Sequence, residues 1–285
     1  MRFVLPAPAK LNLTLRVTGR RPDGYHDLVS AFARISSGET LLVGFLPPLH
    51  GADEVCLSGM EVRIEGENVV ARALRLARDA GFAVPPLRVE VVKALCPGSG
   101  LGAGSGNAAT LLGWLAEGWK ARDREEGWLD VARRTGSDVP FLFSGLRAAL
   151  AAGTGDRLAP LDLPCMRGWA VVPEWSVGTE NAYSGLDAFY GGRYPLSDAA
   201  ARAELARICG ALERGERAGL LPNDFAPPLI DRFPAYGQLF DEFERAGCAA
   251  WGITGSGGAA FGLATGEATV PVWPDWTRQV LPVTI

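Results

Sequence analysis

Polar and apolar residues alternate with a period of two in two separate stretches of this chain. In residues 9–17 the polar side chains of Lys10, Asn12 and Thr14 alternate with leucines, and residues 87–92 show a similar alternation. A period of two predicts β-strands whose successive side chains lie on opposite faces. Lys10, Asn12 and Thr14 therefore share one face of the first strand, which is either an ordinary solvent face or the wall of a cleft.

Apolar residues at helical spacing predict the main helices. One such set follows the second strand and consists of Leu111, Leu112, Leu115 and Trp119. Either Ser105 or Asn107 is placed to cap the first turn of that helix. Further helices are predicted after Asn68, which is a suitable N-cap, and over residues 129–134 and 198–214.

Shorter patterns complete a chain of mixed α and β structure. Apolar runs broken by Gly, Pro and Asp between residues 28 and 65 predict strands and turns, and residues 248–263 predict a strand, a glycine turn and a second strand. Glycine, aspartate and proline dominate residues 153–164. We therefore expect a boundary there, between domains of residues 1–157 and 158–285.

The densest glycine run lies between the second strand and its helix, at positions 98, 100, 102, 104 and 106. Glycine lets a backbone approach a ligand closely, and a helix start offers free amide N–H groups to phosphate. A tight turn with no ligand would have the same composition. The run has no Gly-Lys-Ser/Thr ending and no G-x-G-x-x-G window, so it is neither a Walker loop nor a dinucleotide fingerprint.

Composition limits the partners and the compartment. A net charge of -4 over 285 residues gives no general attraction for nucleic acid or for anionic membranes. Five scattered cysteines without a C-x-x-C pair favour reduced thiols in a cytoplasm, and the two histidines share no zinc-ligand spacing with them. No apolar run approaches the ~20 residues of a membrane helix. We expect a soluble cytoplasmic protein, and a monomer and a weak homodimer both remain open.

Five short motifs carry a family resemblance. Residues 100–109, Gly-Leu-Gly-Ala-Gly-Ser-Gly-Asn-Ala-Ala, resemble the second signature motif of the GHMP kinases, and residues 254–258 resemble their third. The opening Ala-Pro-Ala-Lys-Leu-Asn-Leu and the later Asp-Gly-Tyr-His resemble the 4-diphosphocytidyl-2-C-methyl-D-erythritol kinase family in particular. Gly-Ser-Asp-Val-Pro-Phe at residues 136–141 is similar to the Gly-Ala-Asp-Val-Pro-Phe of that family.

The resemblance implies a reaction and a fold. The reaction is ATP-dependent phosphorylation of the 2-hydroxyl of 4-(cytidine 5'-diphospho)-2-C-methyl-D-erythritol, with Mg²⁺ as the second cofactor, in non-mevalonate isoprenoid precursor biosynthesis. The fold is the two-domain α+β fold of the GHMP kinases. Its N-terminal half is like domain 2 of ribosomal protein S5, and its C-terminal half is ferredoxin-like.

The same resemblance implies the roles of individual residues. The catalytic residues would be Lys10 and the base Asp138, although an aspartate two residues before Pro140 can also serve simply to cap a helix. The substrate-binding residues would be Asn12, Tyr25, His26 and Tyr183. The ATP-binding residues would be Asn68, Lys93, Cys96, Pro97, Gly98, Ser99, Gly100, Leu101, Gly102, Ala103, Gly104, Ser105, Gly106 and Asn107, with Ser105 as a possible metal ligand. Further contacts from the third motif would be Thr254, Gly255, Ser256 and Gly257.

Three departures from the family pattern accompany the resemblance. Gly106 stands where the family usually has a second serine, Pro97 is displaced by one position, and the chain after Leu263 is short and rich in proline, so that the closing helix of the family should be curtailed. Two other functions remain open. One is a GHMP kinase for another alcohol, such as homoserine or mevalonate, whose enzymes lack Asp-Gly-Tyr-His. The other is a non-catalytic nucleotide or sugar sensor, which the presence of both Lys10 and Asp138 disfavours.

Overall fold

A computed structural model describes residues 2–47, 49, 51–60, 66–118 and 125–285. Within them the chain forms eleven strands and eight helices. The strands are β1 (Arg2–Arg20), β2 (His26–Phe45), β3 (Glu54–Gly59), β4 (Leu87–Lys93), β5 (Ala148–Gly153), β6 (Arg157–Pro160), β7 (Arg167–Pro173), β8 (Gly219–Leu220), β9 (Ala250–Ile253), β10 (Ala260–Ala264) and β11 (Thr277–Thr284). The helices are α1 (Val69–Asp79), α2 (Ala103–Gly118), α3 (Glu125–Thr135), α4 (Val139–Phe143), α5 (Thr179–Tyr190), α6 (Asp198–Glu213), α7 (Ala226–Arg232) and α8 (Tyr236–Arg245).

The two alternating stretches form β1 and β4, as predicted. Both faces of β1 are buried around its centre, however, because Lys10, Asn12 and Thr14 are as inaccessible to solvent as the leucines between them. The interpretation of their face as an ordinary solvent face is therefore wrong. Trp119, predicted on the apolar side of α2, lies outside the described residues.

The chain divides into two compact units that alternate along the sequence. The first unit comprises Met1–Lys10, Gly38–Pro97 and Gly102–Gly145, and the second comprises Leu11–Ser37, Gly98–Leu101 and Leu146–Ile285. Strands β1 and β2 each contribute residues to both units, and so does the glycine run. The domain boundary expected between residues 157 and 158 divides the chain once along the sequence, whereas these units are each made of several segments. That boundary therefore stays a prediction.

The first unit packs helices beside a short sheet. The C-terminal part of β2 pairs antiparallel with β4, and β3 pairs parallel with β4. Helix α2 packs against α1, α3 and α4. Its buried leucines fill the interior together with α1, and the rings of Phe82 and Trp128 stack with centroids 3.8 Å apart. Burial of these large apolar side chains is the main favourable term in the stability of such a unit.

The second unit contains a five-stranded sheet in the order β11-β7-β10-β9-β8. All neighbours in it are antiparallel except β8 and β9, which are parallel. The N-terminal part of β2 also pairs in this unit with β5, which pairs in turn with β6. The core cluster draws on β1, β7, β9, β10 and helices α5, α7 and α8.

Two features of the C-terminal region follow from this sheet. The predicted strand, glycine turn and strand of residues 248–263 are β9 and β10, which form an antiparallel pair. After β10 the described chain forms no further helix, and β11 lies at the sheet edge instead, in line with the curtailed closing helix. Among the described helices, none has the length and apolar character that a membrane crossing requires.

Candidate active site

Lys10 and Asp138 form an ion pair in the first unit. The Nζ atom of Lys10 lies 3.3 Å from Oδ2 of Asp138, with 4% of the lysine side chain exposed and 26% of the aspartate side chain. Asp138 directly precedes α4, but its side chain makes no hydrogen bond that caps this helix. The capping interpretation is therefore wrong for the carboxylate. A buried ammonium beside a partly exposed carboxylate can stabilise an anion and accept a proton.

Gly102 lies against this ion pair at the point where α2 begins. A Cβ atom at position 102 would lie 3.1 Å from two side-chain carbons of Lys10 and 3.4 Å from Oδ2 of Asp138, and the backbone has φ +68°. A side chain there would therefore crowd the pair and strain the backbone. Because α2 begins at the next residue, the free amide N–H groups of its first turn lie beside the ammonium and the carboxylate.

The start of α2 corrects two predicted caps. The helix begins at Ala103, so Ser105 and Asn107 lie inside its first two turns rather than at its cap. Asn107 is buried and donates from Nδ2 to Oε2 of Glu39 over 2.7 Å. By contrast, Asn68 caps α1 as predicted, because its Oδ1 accepts from the backbone N–H of Val70 over 2.8 Å.

Lys93 contacts the same glutamate as Asn107. The alternating pattern of β4 also allowed an exposed lysine at this position, but only 9% of its side chain is exposed. Its Nζ lies 2.7 Å from Oε1 of Glu39, whose side chain is fully buried. The same carboxylate accepts from the backbone N–H of Leu95 over 3.2 Å. Glu39 thus ties the end of β4, the entry of the glycine run and α2 to β2. Glu39 was not predicted from the sequence, because a single acidic residue among small and polar neighbours carries no motif.

Gly106 explains one departure from the family pattern. A Cβ atom at this position would lie only 2.0 Å from the backbone oxygen of Pro8 in β1. No side chain fits that distance, so β1 occupies the space that a serine side chain would need. In this chain the close approach of β1 to α2 therefore requires glycine at position 106.

In the second unit the third motif packs directly on the second. A Cβ atom at Gly257 would lie 2.4 Å from the oxygen of Gly98 and 2.5 Å from the nitrogen of Gly100. The backbone N–H of Ala259 donates to the oxygen of Ser99 over 3.1 Å. The two glycine segments thus touch backbone to backbone. This contact brings the predicted residues Gly98, Ser99 and Gly100 against the third motif.

Buried side chains hold the third motif in place. The backbone N–H of Asn12 donates to the Thr254 hydroxyl over 2.7 Å. Asn223 donates from Nδ2 to the oxygens of Ile253 and Gly255 over 2.8 and 3.1 Å. The Tyr236 hydroxyl donates to the oxygen of Gly258, and burial raises the pKa of Tyr236 to about 12. Neither Asn223 nor Tyr236 was predicted to act on this loop.

All four predicted substrate residues lie in the second unit. His26 and Tyr183 are in direct contact, and Tyr25 is next to His26 in the chain, whereas the bonds of Asn12 are to Thr254 and Ser30. The His26 ring stacks on that of Tyr183, with centroids 4.7 Å apart and planes at 24°. Its Nε2 lies 2.8 Å from Oδ1 of Asp187, which also accepts from the Tyr194 hydroxyl over 2.6 Å. Tyr25 is 67% exposed, as a residue that stacks on a ligand should be in the free protein.

Asp187 and Tyr194 were not predicted as site residues. Burial opposes ionisation of Asp187, but the hydrogen bonds from Tyr194 and His26 outweigh it and hold the pKa of Asp187 below its ordinary value. Asp187 follows Tyr183 by four positions, which places both on one face of α5. That spacing is a signal in the sequence that links Asp187 to the predicted residue Tyr183.

Comparison with known proteins gives consistent matches. The chain matches the model of the GHMP kinases N terminal domain over residues 68–145 and that of the GHMP kinases C terminal over residues 198–271. It is 34% identical to a 4-diphosphocytidyl-2-C-methyl-D-erythritol kinase from Pelotomaculum thermopropionicum, over 90% of this chain and 87% of the relative. It is 32% identical to one from Desulfotalea psychrophila, over 92% and 85%.

Solved structures extend the comparison. A crystal structure of 4-(cytidine 5'-diphospho)-2C-methyl-D-erythritol kinase has a TM-score of 0.76 and 30% identity, and covers 100% of this chain and 98% of its own. A homoserine kinase from Cytophaga hutchinsonii has a TM-score of 0.61 at 18% identity, over 93% and 85%. The second likeness is one of fold alone.

Proposed function

Because the chain belongs to the GHMP kinases, and within them to the 4-diphosphocytidyl-2-C-methyl-D-erythritol kinase family, we propose that it phosphorylates 4-(cytidine 5'-diphospho)-2-C-methyl-D-erythritol. The γ-phosphoryl of ATP passes to the 2-hydroxyl and gives the 2-phosphate and ADP, a step of non-mevalonate isoprenoid precursor biosynthesis. As a member of this family the protein is an ATP-dependent kinase, and its α+β fold is that of the GHMP kinases, as the sequence predicted.

The ion pair of Lys10 and Asp138 carries the proposal. Phosphoryl transfer has a loose transition state, so an enzyme contributes mainly positioning and charge. Asp138 accepts the proton of the attacking hydroxyl, and its partial exposure leaves it open to a substrate. Lys10, held 3.3 Å away, stabilises the charge that the nucleophile and the γ-phosphoryl share.

The phosphates of ATP are assigned to the glycine run and the start of α2. The glycines at 98, 100 and 102 have φ of +70°, +84° and +68°, which bares the backbone amides of the turn. Gly257 packs on this turn without a side chain between them, which supports a role of the third motif in fixing its shape. Lys93, Cys96 and Pro97 precede the glycine run in sequence, and Asn68 caps α1. All four stay predicted nucleotide contacts.

Mg²⁺ is proposed to arrive with ATP. Among the described residues no three His, Cys, Asp or Glu side chains cluster in a way that could hold a metal ion. Mg²⁺ commonly keeps several waters and is held through substrate phosphates with few protein groups, so a site with few protein ligands suits this ion. Ser105, in the first turn of α2, is the protein group that we assign to it. The bound ion would neutralise phosphate charge.

Residues of the second unit are assigned to the substrate. Tyr25 and Tyr183 offer aromatic faces to the cytosine, and His26 offers a ring nitrogen to its edge. The Nδ2 of Asn12 donates to the Ser30 hydroxyl over 2.9 Å, which holds the amide in one orientation. The five cysteines are all free thiols, which suits the cytoplasmic location that we propose.

An ADP-release assay with the cytidyl substrate tests the proposal. Asp138→Asn and Lys10→Ala should fold as the wild type does and lose most of kcat, by about a hundredfold or more. Asp130→Asn is the matched control, because Asp130 is an exposed carboxylate on the preceding helix α3. Near wild-type turnover by both site variants would overturn the residue assignment. Faster turnover of homoserine or mevalonate than of the cytidyl substrate would overturn the substrate.

A further inference from the structure

Asp187 contacts three different groups in the second unit. Its Oδ1 accepts from Nε2 of His26 and from the Tyr194 hydroxyl, over 2.8 and 2.6 Å. Its Oδ2 lies 3.4 Å from Nη1 of Arg20, whose side chain is 61% exposed. The His26 side chain is only 6% exposed, so it has little freedom to turn away from this carboxylate. Asp187 therefore determines how the ring is held.

The carboxylate also determines which ring nitrogen carries a proton. An ionised aspartate only accepts hydrogen bonds, so Nε2 of His26 must be the donor. The neutral ring is then the Nε2–H tautomer, in which Nδ1 keeps its lone pair and can only accept. The Tyr194 hydroxyl supports this arrangement, because its own proton goes to the same Oδ1 and helps to keep the carboxylate ionised.

The stacked rings fix the plane in which that lone pair lies. Tyr183 covers one face of the imidazole, and the ring of Tyr194 meets the imidazole edge-on at 5.7 Å and 85°. Tyr183 is itself held by Phe225 in an edge-to-face contact at 4.9 Å. The orientation and the tautomer of His26 are thus both preset before any ligand binds.

We propose that Asp187 is a positioning residue that presents His26 as a hydrogen-bond acceptor and so selects a pyrimidine base with an amino group at C4. Cytosine carries such a donor, whereas uracil carries a carbonyl oxygen that would face the lone pair of Nδ1. Such a site discriminates through a repulsive contact as well as an attractive one. The proposal rests on the proposed function in that His26 is the residue assigned to the base.

Binding measurements without ATP separate this proposal from the kinase activity. Calorimetry with cytidine 5'-diphosphate and uridine 5'-diphosphate gives the ratio of their affinities. Asp187→Asn should lower the cytidine-over-uridine ratio by about tenfold, the worth of one hydrogen bond. Tyr194→Phe, which removes one hydrogen bond to Asp187 and keeps the ring, should lower it less. Glu180→Gln removes the same charge from an exposed position of α5 and should leave it unchanged.

Imidazole ¹⁵N spectra test the tautomer directly and need no turnover. The chain has two histidines, so a His50→Gln variant assigns the signals of His26. We expect the Nε2–H form in the wild type and a mixture in Asp187→Asn, because an asparagine amide can also donate to Nε2. An Nδ1–H ring in the wild type would overturn the proposal, as would an unchanged affinity ratio in folded Asp187→Asn.

Each remaining outcome also supports or overturns the role of Asp187. If Asp187→Asn fails to fold, the wild-type tautomer and the Tyr194→Phe ratio decide whether the proposal holds. Should the wild type prefer cytidine 5'-diphosphate yet transfer no phosphoryl group, the proposed function falls and the role of Asp187 stands. In the kinase assay the effect of Asp187→Asn should appear in KM for the cytidyl substrate, with KM for ATP unchanged. A purely structural role would instead lower stability and leave the base preference intact.

Discussion

Gly106 and Gly113 lie on the same helix, and the structure predicts opposite effects of alanine at the two positions. At Gly113 an added Cβ would have no neighbour within 4 Å. Gly113→Ala should therefore raise the free energy of unfolding by about 1 kcal/mol, the usual difference in helix propensity. At Gly106 the added Cβ would lie 2.0 Å from the oxygen of Pro8. Because ordinary contacts are about 3.5 Å, β1 or α2 would have to move by about 1 Å or more.

Overpacking of this kind costs about 1–3 kcal/mol, which outweighs the propensity gain. Gly106→Ala should therefore unfold at a lower temperature than the wild type, by about 2–4 °C for each kcal/mol, while Gly113→Ala unfolds at a higher one. Gly106→Ser, which restores the usual family residue, should also destabilise the protein. Thermal denaturation followed by circular dichroism measures all three.

Activity adds a second readout, because Pro8 precedes Lys10 by two residues on β1. A strand displaced by the new methyl group would carry the ammonium away from Asp138, so kcat of Gly106→Ala should fall below that of Gly113→Ala at a temperature where both are folded. If Gly106→Ala is as stable as Gly113→Ala, β1 does not pack on α2 as described.

The remaining predictions concern buried charges and thiols. Lys93→Met leaves the Glu39 carboxylate buried without its counter-ion, so it should lower the free energy of unfolding in urea by about 3–5 kcal/mol. Adding Glu39→Gln to the same chain should restore most of that loss. A Lys93→Met variant as stable as the wild type contradicts this. Cys56 and Cys165 are exposed and the other three cysteines are buried, so a thiol reagent at neutral pH should modify these two in the folded protein and the others only on unfolding. Rapid modification of a third thiol in the folded protein contradicts this. Burial raises the pKa of Cys248 from 9.0 to about 11, so its contribution to stability is complete below about pH 9 and is lost as the pH rises to 11. Cys248→Ala should flatten the stability profile over that interval, and a slope equal to the wild type contradicts this.

Local sequence signals predicted the parts of the fold that depend on neighbouring residues. The alternation in β1 and β4, the cap at Asn68 and the hairpin of β9 and β10 are all properties of short segments. The family motifs added the order of the site segments along the chain and the two-domain kinase fold. Both kinds of signal are contained within a few residues of sequence.

The errors arose where distant residues decide the structure. Asp138 has the sequence context of a helix cap, but its carboxylate lies beside a lysine that is 128 positions earlier in the chain. Asn107 was predicted near a helix start and instead bonds to Glu39, 68 positions away. Local pattern cannot show such pairings, since each depends on how β1 and β2 are laid against the helices.

The two compact units differ in when their residues leave the ribosome. Every segment of the first unit lies within the first 145 residues, so it can assemble while the rest of the chain is still being made. The second unit has to wait, because Asn12 bonds to a threonine 242 positions later. At ordinary rates of synthesis that interval is on the order of ten seconds or more. During this interval polar side chains of β1 and β2 that are buried in the folded protein still lack their partners. The second unit is therefore the part that a chaperone would have to protect.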